Sequence, residues 1–212
     1  MIRVASYNLH GLRDSRPALA RVVRALAVDV LCAQERGFGP AFSRLTGLEQ
    51  VCSARFSGVA ILVRPGIRVP HVEHHRLRWF PGLERRSMAL AVVEAEGLRL
   101  AVASFHLDLH AGARLAHAVE IVRRVETVAA RFDAVPVVAG DLNELPGAAA
   151  WKHLGSRYAE RGEGGTFAGK RIDAIFTGAG LEALARGVAG ASEDDLAEAS
   201  DHRPVVADLR SA

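Results

Sequence analysis

The chain has 212 residues, half of them hydrophobic, and a formal net charge of only +3, although its pI is near 9.3. That length suits one well-buried core and is too short to favour two, so residues 1–212 are expected to form a single domain, and the modest charge argues only weakly for a polyanionic partner. The chain as printed shows neither a signal peptide nor an apolar run of membrane-spanning length, so a soluble, cytoplasmic monomer without a membrane partner is expected. The excess of arginine over lysine, which is confined to Lys152 and Lys170, is read as a GC-rich genome before it is read as phosphate-binding forks.

Residues 2–8 alternate as a strand does and end in Asn8-Leu9-His10-Gly11, where glycine permits a sharp turn. Ser15 ahead of Arg16-Pro17 reads as a helix start, and Leu19, Val22, Val23 and Leu26 supply the apolar face. Val28 to Ala33 is a buried strand ending in Gln34-Glu35, so Asn8 and Glu35 should reach the same end of a sheet. Gly37, Gly39 and Pro40 lead into a short helix or loop, with Cys52 in a short connecting region, before Val59 to Val63 resumes as a strand. Cys32 and Cys52 have neither the number nor the spacing of a disulfide framework or zinc site.

His71 to Glu84 lacks clean periodicity and reads as a long surface loop. Strands Ser87 to Glu94 and Leu98 to Phe105 flank Glu96-Gly97 as a hairpin, the second ending in His106-Leu107-Asp108. Arg114 to Ala130 is the strongest helix, with Leu115, Val119, Val122, Val125 and Val128 near a period of about 3.6 residues. Val135 to Ala139 feeds Gly140-Asp141, and later strands cover Arg171 to Phe176 and Arg203 to Leu209. Hairpins mixed with crossovers, without internal repeats, fit an α/β sandwich: two mixed, mainly antiparallel sheets packed face to face with helices outside.

Polar residues stand where the apolar runs end. If strand geometry persists, Asp141 and Asn143 point the same way and could position a water or a phosphoryl oxygen; Gly-Asp-Leu-Asn is equally readable as a turn. Asp173 lies on the core side of its strand, where a carboxylate needs a partner. His202 is the candidate, since a carboxylate on one ring nitrogen raises the basicity of the other; pairing with Arg171 or exposure to solvent are the alternatives. Asp201 and His202 are neighbours, so their side chains should diverge, and Ser-Asp-His alone reads most simply as turn capping. Glu35 is a hard oxygen ligand of the kind Mg2+ takes.

The ordered series Tyr7-Asn8-Leu9, Gln34-Glu35, Arg85-Arg86-Ser87, Ser104-Phe105-His106-Leu107, Gly140-Asp141-Leu142-Asn143, Arg171-Ile172-Asp173-Ala174-Ile175-Phe176 and Ser200-Asp201-His202 resembles the endonuclease/exonuclease/phosphatase superfamily over nearly the whole chain. The resemblance implies a DNase I-like four-layer α/β sandwich and a Mg2+- or Mn2+-dependent phosphoric ester hydrolase. It implies Glu35 as principal metal ligand, with Asn8 and Asp201 near the metal or its waters. Asp141 would orient or deprotonate the attacking water, Asn143 would donate its amide to the phosphate, and His202, held by Asp173, would lie beside the scissile phosphate. His106 would contact the phosphate and, as in some members, help protonate the leaving oxygen. Arg86 would support this shell by pairing with site carboxylates.

The chain departs from the family by being short between Glu35 and Val59 and between Asn143 and Asp173, where nucleases of this type can carry DNA-gripping loops. Phe56-Ser57-Gly58-Val59 lacks the carboxylate that could orient a histidine acid, which favours His106 as a phosphate donor over a proton donor. The resemblance thus implies a phosphate-ester substrate, either a small phosphorylated metabolite or a nucleic acid; a catalytically silent binding module is disfavoured because every expected polar position is filled. His71 to Arg86 alone mixes basic and aromatic residues, and its Trp79 and Phe80 either cover a core edge or stack on a base.

Overall fold

The computed structural model describes residues 1–36, 41–53, 58–186 and 191–212. The chain order is β1 (Ile2–Asn8), α1 (Arg16–Leu26), β2 (Val30–Gln34), α2 (Ala41–Thr46), β3 (Glu49–Ser53), β4 (Ala60–Val63), β5 (Arg68–Arg76), β6 (Ser87–Ala95) and β7 (Leu98–His106). It continues with α3 (Ala111–Phe132), β8 (Val135–Asp141), α4 (Ala149–Gly155), β9 (Ala159–Arg161), β10 (Asp173–Thr177), β11 (Leu181–Arg186), α5 (Glu193–Ala199) and β12 (Val205–Ser211). Two six-stranded sheets result, ordered β11-β12-β1-β2-β4-β3 and β5-β6-β7-β8-β10-β9. Each holds one parallel pair, β1 with β2 and β7 with β8, among antiparallel neighbours. Among the described residues no helix is long and apolar enough to cross a membrane.

Side-chain alternation makes these sheets a four-layer sandwich. On β6, Ala89, Ala91 and Val93 face the other sheet, while Met88, Leu90 and Val92 pack towards Ile121 and Val125 of α3. On the other sheet Val4, Val30 and Ala207 face inward, whereas Ala5, Leu31 and Val206 pack towards α1 and α5. Each large aliphatic side chain so buried contributes about 1.5–3 kcal/mol. α1 starts where its sequence directs: Ser15 Oγ accepts from Ala18 N at 3.3 Å, a cap whose loss costs about 1 kcal/mol.

Several local expectations are corrected. Much of the segment read as a loop from His71 onwards is strand β5, paired with β6 from Arg68 to Arg76. Its half-buried face carries His71, Glu73 and His75, which meet Phe132 by ring stacking at 4.8 Å, Arg124 at 2.5 Å and Glu120 at 2.7 Å. A strand whose inner face is polar gives no hydrophobic alternation to read. Cys52 sits in β3, buried and unbridged like Cys32. α3 is longer than its apolar period indicated, and Leu115 and Val119 on it are exposed while Ala113, His117, Ala118 and Ile121 are buried. β10 and β12 each begin two residues later than read. Gly37, Gly39, Pro40, Phe56 and Ser57 lie outside the described residues.

Candidate active site

The strand parity that builds the inter-sheet core also builds the site. Along β1 the inward positions are Ile2, Val4, Ser6 and Asn8; along β2 they are Val30, Cys32 and Gln34; along β7, Leu100, Val102, Ser104 and His106; along β8, Val137, Ala139 and Asp141. Apolar residues give way to polar ones at one end of all four strands, and β10 enters that end with Asp173. Registers align them: His106 pairs with Asp141 across β7 and β8, and Asp173 with Asp141 across β10 and β8. Beneath this row lies a polar layer, in which Gln34 Nε2 donates to Ser104 Oγ at 3.3 Å and Ser104 Oγ donates to the Ala33 carbonyl at 3.1 Å.

Asp141 is at the centre. Its Oδ2 accepts from Asn8 Nδ2 at 3.0 Å and lies 3.4 Å from His106 Nε2 and 3.9 Å from His202 Nε2. Its Oδ1 accepts from Asn143 N at 2.8 Å, so the strand does not persist. Asn143 takes a left-handed φ of 52°, which Asn tolerates, and the motif is both a strand end and a turn. Both N–H groups of the Asn143 amide are engaged, 2.9 Å from His106 Nε2 and 3.0 Å from the Leu107 carbonyl. Gly140 is required here: a Cβ would stand 2.1 Å from the Phe105 carbonyl oxygen on the neighbouring strand.

Glu35 reaches the site by breaking parity. Gln34 faces inward, so a continued strand would send Glu35 outward. A φ of 47° turns it back, at a cost of about 1–2 kcal/mol, and puts Oε1 3.2 Å from Asn8 Nδ2. Gly58 packs against this turn, where a Cβ would lie 3.1 Å from Glu35 Cα, and its carbonyl accepts from Arg36 N at 2.7 Å. Asn8 therefore bridges two carboxylates, with its Oδ1 held by His10 N at 3.1 Å.

His202 Nδ1 lies 2.9 Å from Asp173 Oδ2, with Phe167 against its ring at 4.8 Å. Its loop is fixed by Ser200, whose Oγ donates to the Asn8 carbonyl at 2.8 Å and accepts from His202 N at 3.1 Å. Asp201 diverges from His202 to the exposed rim, its Oδ2 3.6 Å from His10 Nε2. Arg86 is half-buried beside this row, with Nη2 3.1 Å from Glu84 and Nε 3.8 Å from Asp108. The site thus gathers Asn8, Glu35, His106, Asp141, Asn143, Asp173 and His202, with Asp201 and Arg86 at its margins. Thr166 was not singled out in the sequence; its Oγ1 accepts from Ile172 N and Asp173 N at 3.0 and 3.1 Å and fixes the strand start. A lone loop threonine offers no periodic signal that would have found it.

The two imidazoles are driven apart electrostatically. Burial, then the charges of Arg86 and His202, push His106 down to about 3. Burial also opposes charge on His202, but the hydrogen bond and charge of Asp173, reinforced by Asp141 and Asp201, carry it above the ordinary histidine value. Burial and the neighbouring Asp173 carboxylate raise Asp141 well above the usual aspartate range. His106 is thereby a neutral acceptor for Asn143, while Asp173 favours the protonated form of His202.

This donor set suits a hard divalent cation. Asn8 Nδ2 links Glu35 to Asp141, Asp173 Oδ1 is buried without a hydrogen-bond partner among the described residues, and burial, then the Asp173 charge, raises the Asp141 pKa. Oxygen-rich donors favour Mg2+ or Mn2+ over softer metals. Ligand atoms of Asp141, Asp173 and His202 also lie within 4.8 Å of one another, and the Asp173 to His202 hydrogen bond occupies two of these residues.

Residues 5–202 match the Endonuclease/Exonuclease/phosphatase family, and the chain belongs to it. No curated protein matches the chain. Among solved structures it is similar to an endonuclease/exonuclease/phosphatase from Bacteroides vulgatus, with 18% identity, a TM-score of 0.81 and coverage of 100% of this chain and 99% of that one. It is equally similar to the human Nocturnin catalytic domain with bound sulfate, at 18% identity, TM-score 0.82 and coverage of 100% and 94%. A mannosyl-6-phosphatase from Bacteroides thetaiotaomicron aligns at 18% identity and TM-score 0.79 over 99% and 100%. At these identities the likeness carries the fold, which is the four-layer sandwich expected from the sequence.

Proposed function

We propose that the protein is a divalent-metal-dependent phosphoesterase that hydrolyses a phosphate ester by attack of water. The observation that carries this reading is the Asp141 carboxylate, 3.0 Å from Asn8, 3.4 Å from His106 and 3.9 Å from His202, with Asp173 2.9 Å behind His202. Phosphoester hydrolysis needs a positioned water, neutralised phosphoryl oxygens and charge stabilisation of the departing oxygen, which a bound cation would supply before solvent protonates that oxygen. Asp141, its basicity raised by burial and Asp173, orients the water and takes its proton at Oδ2. His202, held by Asp173, presents Nε2–H to a phosphoryl oxygen. His106, neutral, accepts from Asn143 and keeps that amide beside Asp141; Asn143 reaches the phosphate only by releasing His106 or the Leu107 carbonyl. Glu35, with Asn8 and the Asp201 rim, would hold Mg2+ or Mn2+, which supplies charge neutralisation and lowers the pKa of a bound water. Arg86 supports the row through Asp108.

A small phosphorylated metabolite is favoured over nucleic acid by the short connections on either side of the site and by the net charge of only +3. The mannosyl-6-phosphatase with this fold is consistent with that preference. DNA or RNA endo- or exonuclease activity is the second reading, and a silent binding module the third. The test is hydrolysis with Mg2+ or Mn2+ of plasmid DNA, an abasic duplex, bis-p-nitrophenyl phosphate and a panel of phosphomonoesters. Turnover of monoesters alone removes the nuclease reading, and activity untouched by EDTA removes the metal-dependent mechanism.

A further inference from the structure

On the two strands next to the row His106, Asp141 and Asp173, β6 and β5, the same sheet edge carries a pocket. Ser87 pairs with Arg76, and Met88 with Phe105, which puts Ser87 level with His106. The edge therefore reads Arg76, Ser87, His106, Asp141, Asp173 across five adjacent strands. Around Ser87 lies a cavity of about 240 Å³ lined by Arg76, Arg85, Arg86, His74 and Trp79. Arg86, which lines the pocket, is also near enough to His106 that its charge, after burial, helps depress that imidazole.

The pocket holds more positive charge than the protein neutralises. Arg86 is offset by Glu84 at 3.1 Å and Asp108 at 3.8 Å. Among the described residues Arg76 makes no ion pair, and the partner of Arg85 is the face of Trp79 at 4.9 Å. His74, exposed on β5, is held below its ordinary pKa by burial and by the charges of Arg76 and His75. Trp79 is a built floor: its Nε1 donates to the Leu83 carbonyl at 3.0 Å, and Leu77 N donates to the Arg86 carbonyl at 3.1 Å to close the hairpin. A solvated arginine face needs neither a pocket nor an anchored indole. Guanidinium groups converging on a concave site match the fork geometry of phosphate.

We propose that this pocket is a subsite for a second, non-scissile phosphate of a small bisphosphorylated substrate. Strands lie about 4.8 Å apart, so Ser87 is on the order of 10 Å from Asp141, which sets the spacing of the two phosphates. The proposal rests on the phosphoesterase reading for the first phosphate; the second is held by Arg76 and Arg85, with Trp79 covering the linker between them.

The test uses the Mg2+-loaded protein and a ladder of alkanediol bisphosphates from two to eight carbons, each paired with its alkyl monophosphate. The expected result is a preference in kcat/KM for a bisphosphate of intermediate or longer chain. In R76A/R85A the ratio of bisphosphate to monophosphate kcat/KM falls by at least about tenfold, the loss for one charge-assisted hydrogen bond, and does so through KM. Arg85→Lys, which keeps the charge and loses the fork, recovers only part of it. An independent readout is Trp79 emission, since Trp79 is 46% exposed and Trp151 is 4% exposed: hexane-1,6-diol bisphosphate shifts it in the wild type and not in R76A/R85A. A ratio unchanged in the double variant, or emission indifferent to the bisphosphate, overturns the subsite, as does a defect confined to DNA. If no ester is turned over but Trp79 still responds through the arginines, the catalytic reading fails and the subsite stands.

Discussion

His202 and Asp173, 29 residues apart in the chain, meet with Nδ1 2.9 Å from Oδ2 inside a buried site. That contact fixes which ring nitrogen faces Asp141 and raises the basicity of the imidazole. Asp173→Asn keeps the shape and removes the charge, and His202→Ala removes the donor. Each is expected to lower kcat about 10²- to 10⁴-fold with a smaller change in KM. Steady-state kinetics on the best phosphate ester check this, and a kcat within a few-fold of wild type would remove the pair from catalysis.

The neutral state of His106 has a stability consequence. Its folded pKa is about 3 against an ordinary value of 6.5, so below pH 6.5 the unfolded chain binds a proton that the folded protein refuses. Stability from this group is complete above pH 6.5 and falls by about 1.4 kcal/mol per unit as pH drops towards 3. Asp141, with its raised pKa, acts in the opposite sense: its contribution is present at low pH and lost as pH rises above the usual aspartate range. Comparison with His106→Gln separates the two. In urea unfolding at pH 7, 6 and 5 the wild type should lose its advantage over His106→Gln stepwise; a constant gap contradicts a neutral His106.

Cation binding beside Glu35 should relieve the crowding of Asp141 and Asp173. Mg2+ or Mn2+ is expected to raise the melting temperature, by about 2.7 kcal/mol of added stability at a hundredfold excess over Kd, and EDTA to reverse it. Glu35→Gln should weaken the effect with little change in the metal-free protein. Equal metal response in Glu35→Gln would move the anchor to another carboxylate.

Gly140 is fixed by contact and not by φ. A Cβ 2.1 Å from the Phe105 carbonyl oxygen forces β7 and β8 apart just where His106 and Asp141 pair. Gly140→Ala should destabilise by about 1–3 kcal/mol and lower activity together with the urea midpoint. An Ala variant of wild-type stability would contradict the close approach.

Much of this architecture is legible because burial writes alternation into sequence: β1, β2, β6, β7 and β8 are apolar runs whose ends carry Asn8, Glu35, His106 and Asp141. What was illegible follows from the same rule. β5 sets half-buried His71, Glu73 and His75 against α3, so its inner face is polar and its pattern silent. Leu115 and Val119 share the period of α3 but stand exposed, because Ala113, His117 and Ala118 occupy the packed face. Glu35 enters the site through a left-handed turn that no alternation foretells, and Thr166 acts through backbone geometry alone. Residue types at strand ends named the chemistry; distances among them needed the registers of β7, β8 and β10.

Asp141 and its neighbours are proposed to hydrolyse a phosphate ester with a divalent cation. The most direct measurement is hydrolysis of the phosphate-ester panel by wild type and Asp141→Asn, each with Mg2+ and with EDTA. Turnover by the wild type with Mg2+ is expected, abolished by EDTA and reduced about 10²-fold or more in Asp141→Asn. Turnover that survives EDTA, or that is equal in Asp141→Asn, would contradict it.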